Sequence, residues 1–206
     1  KDVNVVSFEI DETLKPYLNK IESNNLKVIY DDFLKVNLSN YFNKNDKLNV
    51  IANIPYYITT PIITKFIEED FIPDNMVLMV QKEVALRLSS KPKNKEYGAI
   101  SVILNYFFDI EYLFTVNRGA FEPVPNVDSA VIKFSRKKDR LFLKSFEKYK
   151  RLVFDSFKQK RKNLKNNLKN YNLEKISEVL KKYNYDLTVR AEQLPIEIFV
   201  ELSNNI

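Results

Sequence analysis

The chain has 206 residues, 45% hydrophobic and 13% aromatic, so disorder is excluded and one large domain, or a medium one with a small one, is expected. It contains no cysteine and no histidine, which removes disulfide frameworks, thiolate or imidazole metal sites and Ser-His chemistry. The net charge of +6 is uneven: residues 1–138 carry 18 basic and 18 acidic side chains and residues 139–206 carry 15 and 9, so the basic C-terminal third points to nucleic acid or another anionic surface.

Glycine is scarce. Only Gly98 and Gly119 occur, where an average composition gives roughly fourteen, and neither sits in a phosphate-binding loop between a strand and a helix. No apolar stretch is long enough to span a bilayer and no signal peptide stands at the amino end, so the sequence reads as that of a cytosolic protein without a membrane partner.

Val3 to Ile10 reads as a buried strand whose end carries Glu9. A carboxylate closing an early strand of an α/β sheet is placed to accept from both hydroxyls of a ribose. Asp11 beside it is suited to cap a helix expected over residues 12–23, with Leu14, Leu18 and Ile21 on its core face. Leu26 to Tyr30 is the next strand and ends in Asp31-Asp32-Phe33. One of the two carboxylates is placed to accept from an adenine amino group, although paired acids in a loop are commonly just solvated.

The apolar run Leu48 to Ala52 leads into Asn53-Ile54-Pro55-Tyr56-Tyr57, and a helical pattern with Ile62, Ile63, Phe66 and Ile67 on one face follows near Thr60. This places an amide and an aromatic ring at the carboxyl end of a buried strand, the edge where ligands sit in open α/β sheets. The group suits methylation of an exocyclic amine on a planar base. Such a nitrogen is a poor nucleophile because its lone pair is delocalised. The side-chain oxygen of Asn53 and the carbonyl of Ile54, each taking one N–H, would turn the lone pair toward a methyl donor. Pro55 fixes its own φ near −65° and holds Ile54 extended. Tyr56 is placed to stack on the base, a contact worth roughly 1–3 kcal/mol. The plainer alternative is a strand end followed by an ordinary X-Pro turn.

Further strands are expected at Met76–Val80, Ile110–Val116 and Ala130–Ser135, the last two as an antiparallel pair, with helices over residues 83–89 and around residues 99–108. A basic exposed loop covers residues 90–97. The turn between the last two strands carries Phe121-Glu122-Pro123-Val124-Pro125. Its prolines stiffen the loop, and Phe121 is either the second wall of a base slot or a core residue under its own loop. Strand–helix alternation stops near Asp139, and four helices are expected over residues 146–157, 158–170, 173–183 and 195–204. The second carries Lys158, Lys160, Arg161, Lys162, Lys165 and Lys169 and no acid, either a solvated face or a set of phosphate contacts.

Taken together, several segments resemble the ribosomal RNA adenine dimethyltransferases of the bacterial KsgA type. They are Asn53-Ile54-Pro55-Tyr56-Tyr57-Ile58-Thr59-Thr60-Pro61, Val80-Gln81-Lys82-Glu83-Val84-Ala85-Leu86-Arg87, Lys95-Glu96-Tyr97-Gly98, Phe121-x-Pro-x-Pro-x-Val127-Asp128-Ser129-Ala130-Val131, Phe157-x-Gln159-x-Arg161-Lys162-x-Leu164 and Leu194-x-Ile196-Glu197. The resemblance implies an α/β, Rossmann-like methyltransferase sheet over residues 1–138 and a small all-helical, basic RNA-binding domain over 139–206. It further implies dimethylation, from S-adenosylmethionine (AdoMet) and without a metal, of two adjacent adenosines in the 3′-terminal hairpin loop of 16S ribosomal RNA. A monomer acting on the precursor of the small ribosomal subunit is expected. By the family pattern Glu9 holds the AdoMet ribose and Asp32, rather than Asp31, its adenine. Asn53, Ile54, Pro55 and Tyr56 form the catalytic motif, with Asn53 also against AdoMet, and Phe121 stacks on the target base. Lys158, Lys160, Arg161, Lys162 and Lys165 contact RNA.

Two departures stand out. In the family Glu9 ends the second strand, so the opening segment and the glycine loop that cradles AdoMet are expected to be missing, and weak or absent AdoMet binding by this chain is expected with them. Asn126 stands where a basic residue is usual. Two rival readings remain at this stage, a resistance methylase acting on large-subunit RNA and a catalytically silent RNA-binding or assembly factor. Gln81-Lys82-Glu83-Val84-Ala85 resembles the small-subunit enzymes instead of the first.

Overall fold

The computed structural model describes residues 3–206. They divide into two compact units, one built from residues up to 49 together with 55–73, the other from 50–54 and 74–206.

In the first unit β1 (Val5–Glu9) pairs in parallel with β2 (Leu26–Tyr30), Val5 opposite Leu26 and Glu9 opposite Tyr30. The segment joining them is not the helix expected over residues 12–23. It holds a 3₁₀ turn, Glu12–Leu14, and the four-residue α1 (Lys15–Leu18). Leu14 and Ile21, expected on the core face, are 38% and 59% exposed, so no burial supports extension, and short helices are marginal without it. α2 (Thr59–Glu68) follows the expected period, with Ile62, Ile63, Phe66 and Ile67 buried. It stops at Asp70, whose φ of 58° is left-handed, and the Phe71 N–H donates back to the Phe66 carbonyl at 2.8 Å. Phe8 meets Phe33 and Tyr41 edge-on at 5.1 Å between centroids, and Phe33 lies 5.4 Å from Phe66. Aromatic edge contacts of this kind join β1 and the loop after β2 to α2.

In the second unit β3 (Asn49–Asn53), β4 (Asn75–Gln81), β5 (Phe108–Val116) and β6 (Ser129–Arg136) form one sheet in the order β3-β4-β6-β5. β6 runs antiparallel to both neighbours, as expected for the last pair. Opposite Met76, Leu78 and Val80 of β4 stand Phe134, Ile132 and Ala130. All six are buried, while the alternate residues of β4 are half-buried. α3 (Lys82–Leu88) leaves β4 directly and α4 (Ala99–Phe107) leads into β5.

α5 (Phe146–Phe157), α6 (Leu164–Asn167), α7 (Leu173–Lys182) and α8 (Ile196–Asn205) complete the chain. Their core is shared with α4, since Val102 and Ile103 join Tyr149, Leu152, Leu164 and Ile198 in one buried cluster. The buried Tyr149 hydroxyl donates to the Val102 carbonyl at 3.1 Å. The basic helix expected over residues 158–170 is interrupted. Asn163 is extended (φ −78°, ψ 172°) and its side chain accepts from the Asn166 N–H, so α6 starts afresh there.

Glu69, just past the end of α2, binds Lys65 and accepts from the Leu38 N–H at 2.8 Å. Burial raises its pKa, but those hydrogen bonds and the charges of Lys65 and Lys44 outweigh burial and hold the carboxyl below its ordinary value. A carboxyl depressed on folding stabilises above its unfolded pKa and loses that contribution as pH falls through the folded one. Glu69→Gln is expected to cost about 1 kcal/mol in urea unfolding at pH 7. The gap to wild type is expected to shrink below about pH 4.

Candidate active site

Because β1 and β2 are parallel with Glu9 opposite Tyr30, the acidic residues that close both strands gather at one edge. Glu9 is half-buried and one of its oxygens accepts from the Asp11 N–H at 2.8 Å, which fixes the carboxylate at the strand end. A carboxylate offers about four acceptor positions, so accepting capacity remains for a ligand. Asp11 does cap the turn that follows: its side chain accepts from the Thr13 N–H and hydroxyl at 2.9 and 2.6 Å, and those bonds hold its pKa low. Asp31 is exposed and accepts from the Asp32 N–H at 2.7 Å, whereas Asp32 is half-buried and accepts from the Leu34 N–H at 2.9 Å. The pair is therefore not equivalent.

β3 ends at Asn53, which is exposed. Ile54 is half-buried, and Pro55 has φ −55° and ψ 134°. A 3₁₀ turn, Tyr56–Ile58, follows, closed by the Ile58 N–H donating to the Pro55 carbonyl at 3.1 Å, and α2 begins at Thr59. The proline ring fixes this change of direction, leaving Tyr56 half-buried while Tyr57 is 84% exposed.

Phe121 is half-buried, not a core residue under its loop. It follows a 3₁₀ turn, Arg118–Ala120, capped by Asn117, and the next peptide bond but one, Glu122–Pro123, is cis. Two residues outside the sequence-based site hold this loop. Asp128 accepts from the Arg118 N–H at 3.1 Å and lies 3.9 Å from the Lys82 ammonium, and the Lys82 N–H donates to the Asp128 carbonyl at 3.0 Å. Lys82 follows β4 and Asp128 precedes β6, at the paired ends Gln81 and Ser129. Asn53 therefore closes the strand next to the one whose end anchors the Phe121 loop. Pairing register is the missing signal; both residues lay inside the family-like segments but carried no mark of their contact.

Lys158, Lys160, Arg161, Lys162 and Lys165 are all exposed, on a turn and a short helix rather than three helical turns. Asn167 organises the turn: its amide donates to the Ser156 and Gln159 carbonyls at 2.7 and 3.2 Å, and its oxygen accepts from the Gln159 N–H at 3.2 Å. The Lys160 ammonium donates to the Lys95 carbonyl at 2.9 Å, joining the loop over residues 90–97 to this turn. Among the described residues there is no cluster of three acidic, histidine or cysteine side chains able to hold a metal, and no helix is long and apolar enough to cross a membrane.

The mixed α/β architecture with its helical C-terminal part is the fold of a Rossmann-like methyltransferase. A dimethyladenosine transferase from Plasmodium falciparum superposes with a TM-score of 0.79 at 27% identity, over 97% of this chain and 80% of that one. The 23S ribosomal RNA methyltransferase ErmE gives 0.71 at 24% identity, over 98% of this chain and 81% of its own, which shows the fold alone. The model of the ribosomal RNA adenine dimethylase family matches residues 3–206, and the chain belongs to that family. The ribosomal RNA small subunit methyltransferase A of Aster yellows witches'-broom phytoplasma is 46% identical, over 97% of this chain and 76% of that protein. The protein of the same name from Mycoplasmopsis pulmonis is 42% identical, over 96% and 77%. The family's activity is methylation of adenine in ribosomal RNA.

Asp128→Ala removes the acceptor of Arg118 and the partner of Lys82 together. It is expected to cost about 1 kcal/mol and to speed amide exchange at Arg118 and Phe121 while leaving Leu78 and Ile132 protected. Uniform loss of protection along β4 and β6 would instead make Asp128 a determinant of the sheet.

Proposed function

We propose that this protein dimethylates the exocyclic amino groups of two adjacent adenosines in the 3′-terminal hairpin loop of 16S ribosomal RNA. It would act as a monomer, in the cytoplasm, on the precursor of the small ribosomal subunit, with AdoMet as donor and no metal. The observation that carries the reading is the end of β3, where Asn53 is exposed and a proline-fixed turn holds Ile54, Pro55 and Tyr56 in one conformation.

The parallel edge of β1 and β2 fits the proposed donor. Glu9 would accept from its ribose hydroxyls and Asp32 from its adenine amino group, each carboxylate being already oriented by a backbone N–H. When bound, AdoMet supplies an electrophilic methyl group. The chain's own part is to make the adenine nitrogen a nucleophile. The Asn53 side-chain oxygen and the Ile54 carbonyl each accept one N–H of the amino group, drawing its lone pair out of conjugation. Tyr56 and Phe121 stack on the everted base, whose eversion is required because its amino group is otherwise paired or stacked. The nitrogen becomes cationic as the new bond forms, and its proton then leaves to solvent, so no general base starts the reaction. Residues 139–206 bind RNA, with Lys158, Lys160, Arg161, Lys162 and Lys165 neutralising phosphates.

The test is transfer of label from tritiated AdoMet to immature small subunits by the full-length protein. Two methyl groups on each of two adjacent adenosines are expected. Labelling of large-subunit RNA alone, or subunit binding without labelling, would overturn the reading. Asn53→Ala is expected to lower turnover by at least a thousandfold, on the scale of losing a transition-state acceptor, with the dissociation constant for RNA within about twofold. Equal loss of both would make Asn53 structural. Replacing Lys160, Arg161 and Lys162 by alanine is expected to flatten the slope of log affinity against log salt by about one unit per lost phosphate contact. An unchanged slope would return them to solvated cations.

A further inference from the structure

The helical part holds a concavity of about 510 Å³, between α5, α6 and the end of α8, whose charge the run at 158–165 does not account for. Lys148, Arg151, Lys158 and Lys169 stand on its wall with a single carboxylate, Asp155. That carboxylate is engaged within the protein: the Tyr171 hydroxyl donates to it at 2.5 Å and the Arg151 Nε lies 3.9 Å away. Burial, reinforced by the bond to Asp155, pushes the Tyr171 phenol up to about 12. The phenol therefore stays a neutral donor and the acid stays covered throughout the physiological range. Lys148, Lys158 and Lys169 are exposed and form no ion pair among the described residues. Three uncompensated ammonium groups thus converge on one depression.

Its size is within the ~300–1,000 Å³ of small-ligand sites, and Leu152, Tyr171 and Ile206 give its wall apolar surface beside the cations. Convergent cations attract a backbone phosphate whatever base it carries, and so read no sequence. Lys158 belongs both to this wall and to the exposed cationic turn, so the depression continues that surface. We propose that it receives a backbone phosphodiester of the RNA substrate, with Lys148, Arg151 and Lys169 as contacts additional to Lys160, Arg161 and Lys162. The assignment rests on the RNA reading above.

The experiment measures affinity of the full-length protein for immature small subunits across a potassium chloride series. The Lys148→Ala, Lys169→Ala double variant removes two cations with no structural partner, so the melting temperature is expected to be unchanged. Affinity is expected to fall about tenfold or more near 0.1 M salt, with the salt slope smaller by one to two units. The Lys148→Arg, Lys169→Arg variant is expected to restore both. If the double variant binds as wild type while the Lys160, Arg161, Lys162 triple variant is weakened, the concavity proposal falls and the RNA reading stands. If neither changes affinity, the RNA reading itself falls. A loss that tracks a lowered melting temperature, or that leaves the slope unchanged, overturns the proposal. So does saturable binding of inorganic phosphate at this wall without any effect of the variants on RNA.

Discussion

The two-sided pairing of β6 is the constraint on which the second unit depends. It lies antiparallel between β4 and β5, and its register puts Ala130, Ile132 and Phe134 against Val80, Leu78 and Met76. A slip by one residue would turn each of these buried side chains to the other face, so packing alone fixes where β6 begins. That start places Asp128 beside Lys82 and hangs the Phe121 loop from it. β5 absorbs an irregularity at Leu113, between Tyr112 and Phe114, and so keeps both pairings of β6.

A second constraint is the near absence of glycine, which leaves the chain to turn and cap with side chains. Asp11, Asn37, Asn117, Asn163 and Asn172 each accept from a backbone N–H at the start of a helical element. Among the described residues the left-handed positions are held by Asp70, Lys93 and Asn184. Short polar side chains such as those of Asp70 and Asn184 suit both tasks because they bond to nearby backbone. At the end of β3 Pro55 sets the turn instead, and rigidity there suits the acceptor role proposed for the Ile54 carbonyl.

Much of this was legible in the sequence, and the exceptions share a cause. The strands β2 and β6, the core face of α2 and the span of α5 follow from apolar periodicity, whereas β1 and β3, expected to be buried, leave Val5 and Ile51 exposed. The segment over residues 12–23 has the same periodicity, yet Leu14 and Ile21 are exposed, since a periodic pattern shows which face a helix would bury and not whether a partner covers it. The basic stretch over 158–170 has good helix formers, but Asn163 and Asn167 satisfy the backbone outside a helix, and that local competition decided. Glu9, Asn53 and Phe121 are candidates by type and position in the sequence, and Asp32 is chosen over Asp31 by the family resemblance. Lys82, Asp128 and Asn167 hold the loop and the turn, and only register and folded contacts reveal them.

These supporting contacts bear on the proposed function, in which the end of β3 and the cationic turn after α5 have different tasks. The chemistry proposed for the end of β3 needs fixed acceptors more than charge, and there the backbone is held by a proline and a 3₁₀ turn. The proposed RNA attachment needs charge more than exact placement, because phosphate attraction acts over about 10 Å at 0.1 M salt. The cations accordingly sit on exposed side chains. Yet Asn167 still binds three backbone groups of the turn that carries them, which keeps Lys158 and Lys160 on one surface. Long lysine stems lose entropy on binding whatever their backbone does. Fixing the backbone beforehand removes the part of that cost the fold can control, and so lets a few exposed cations act together.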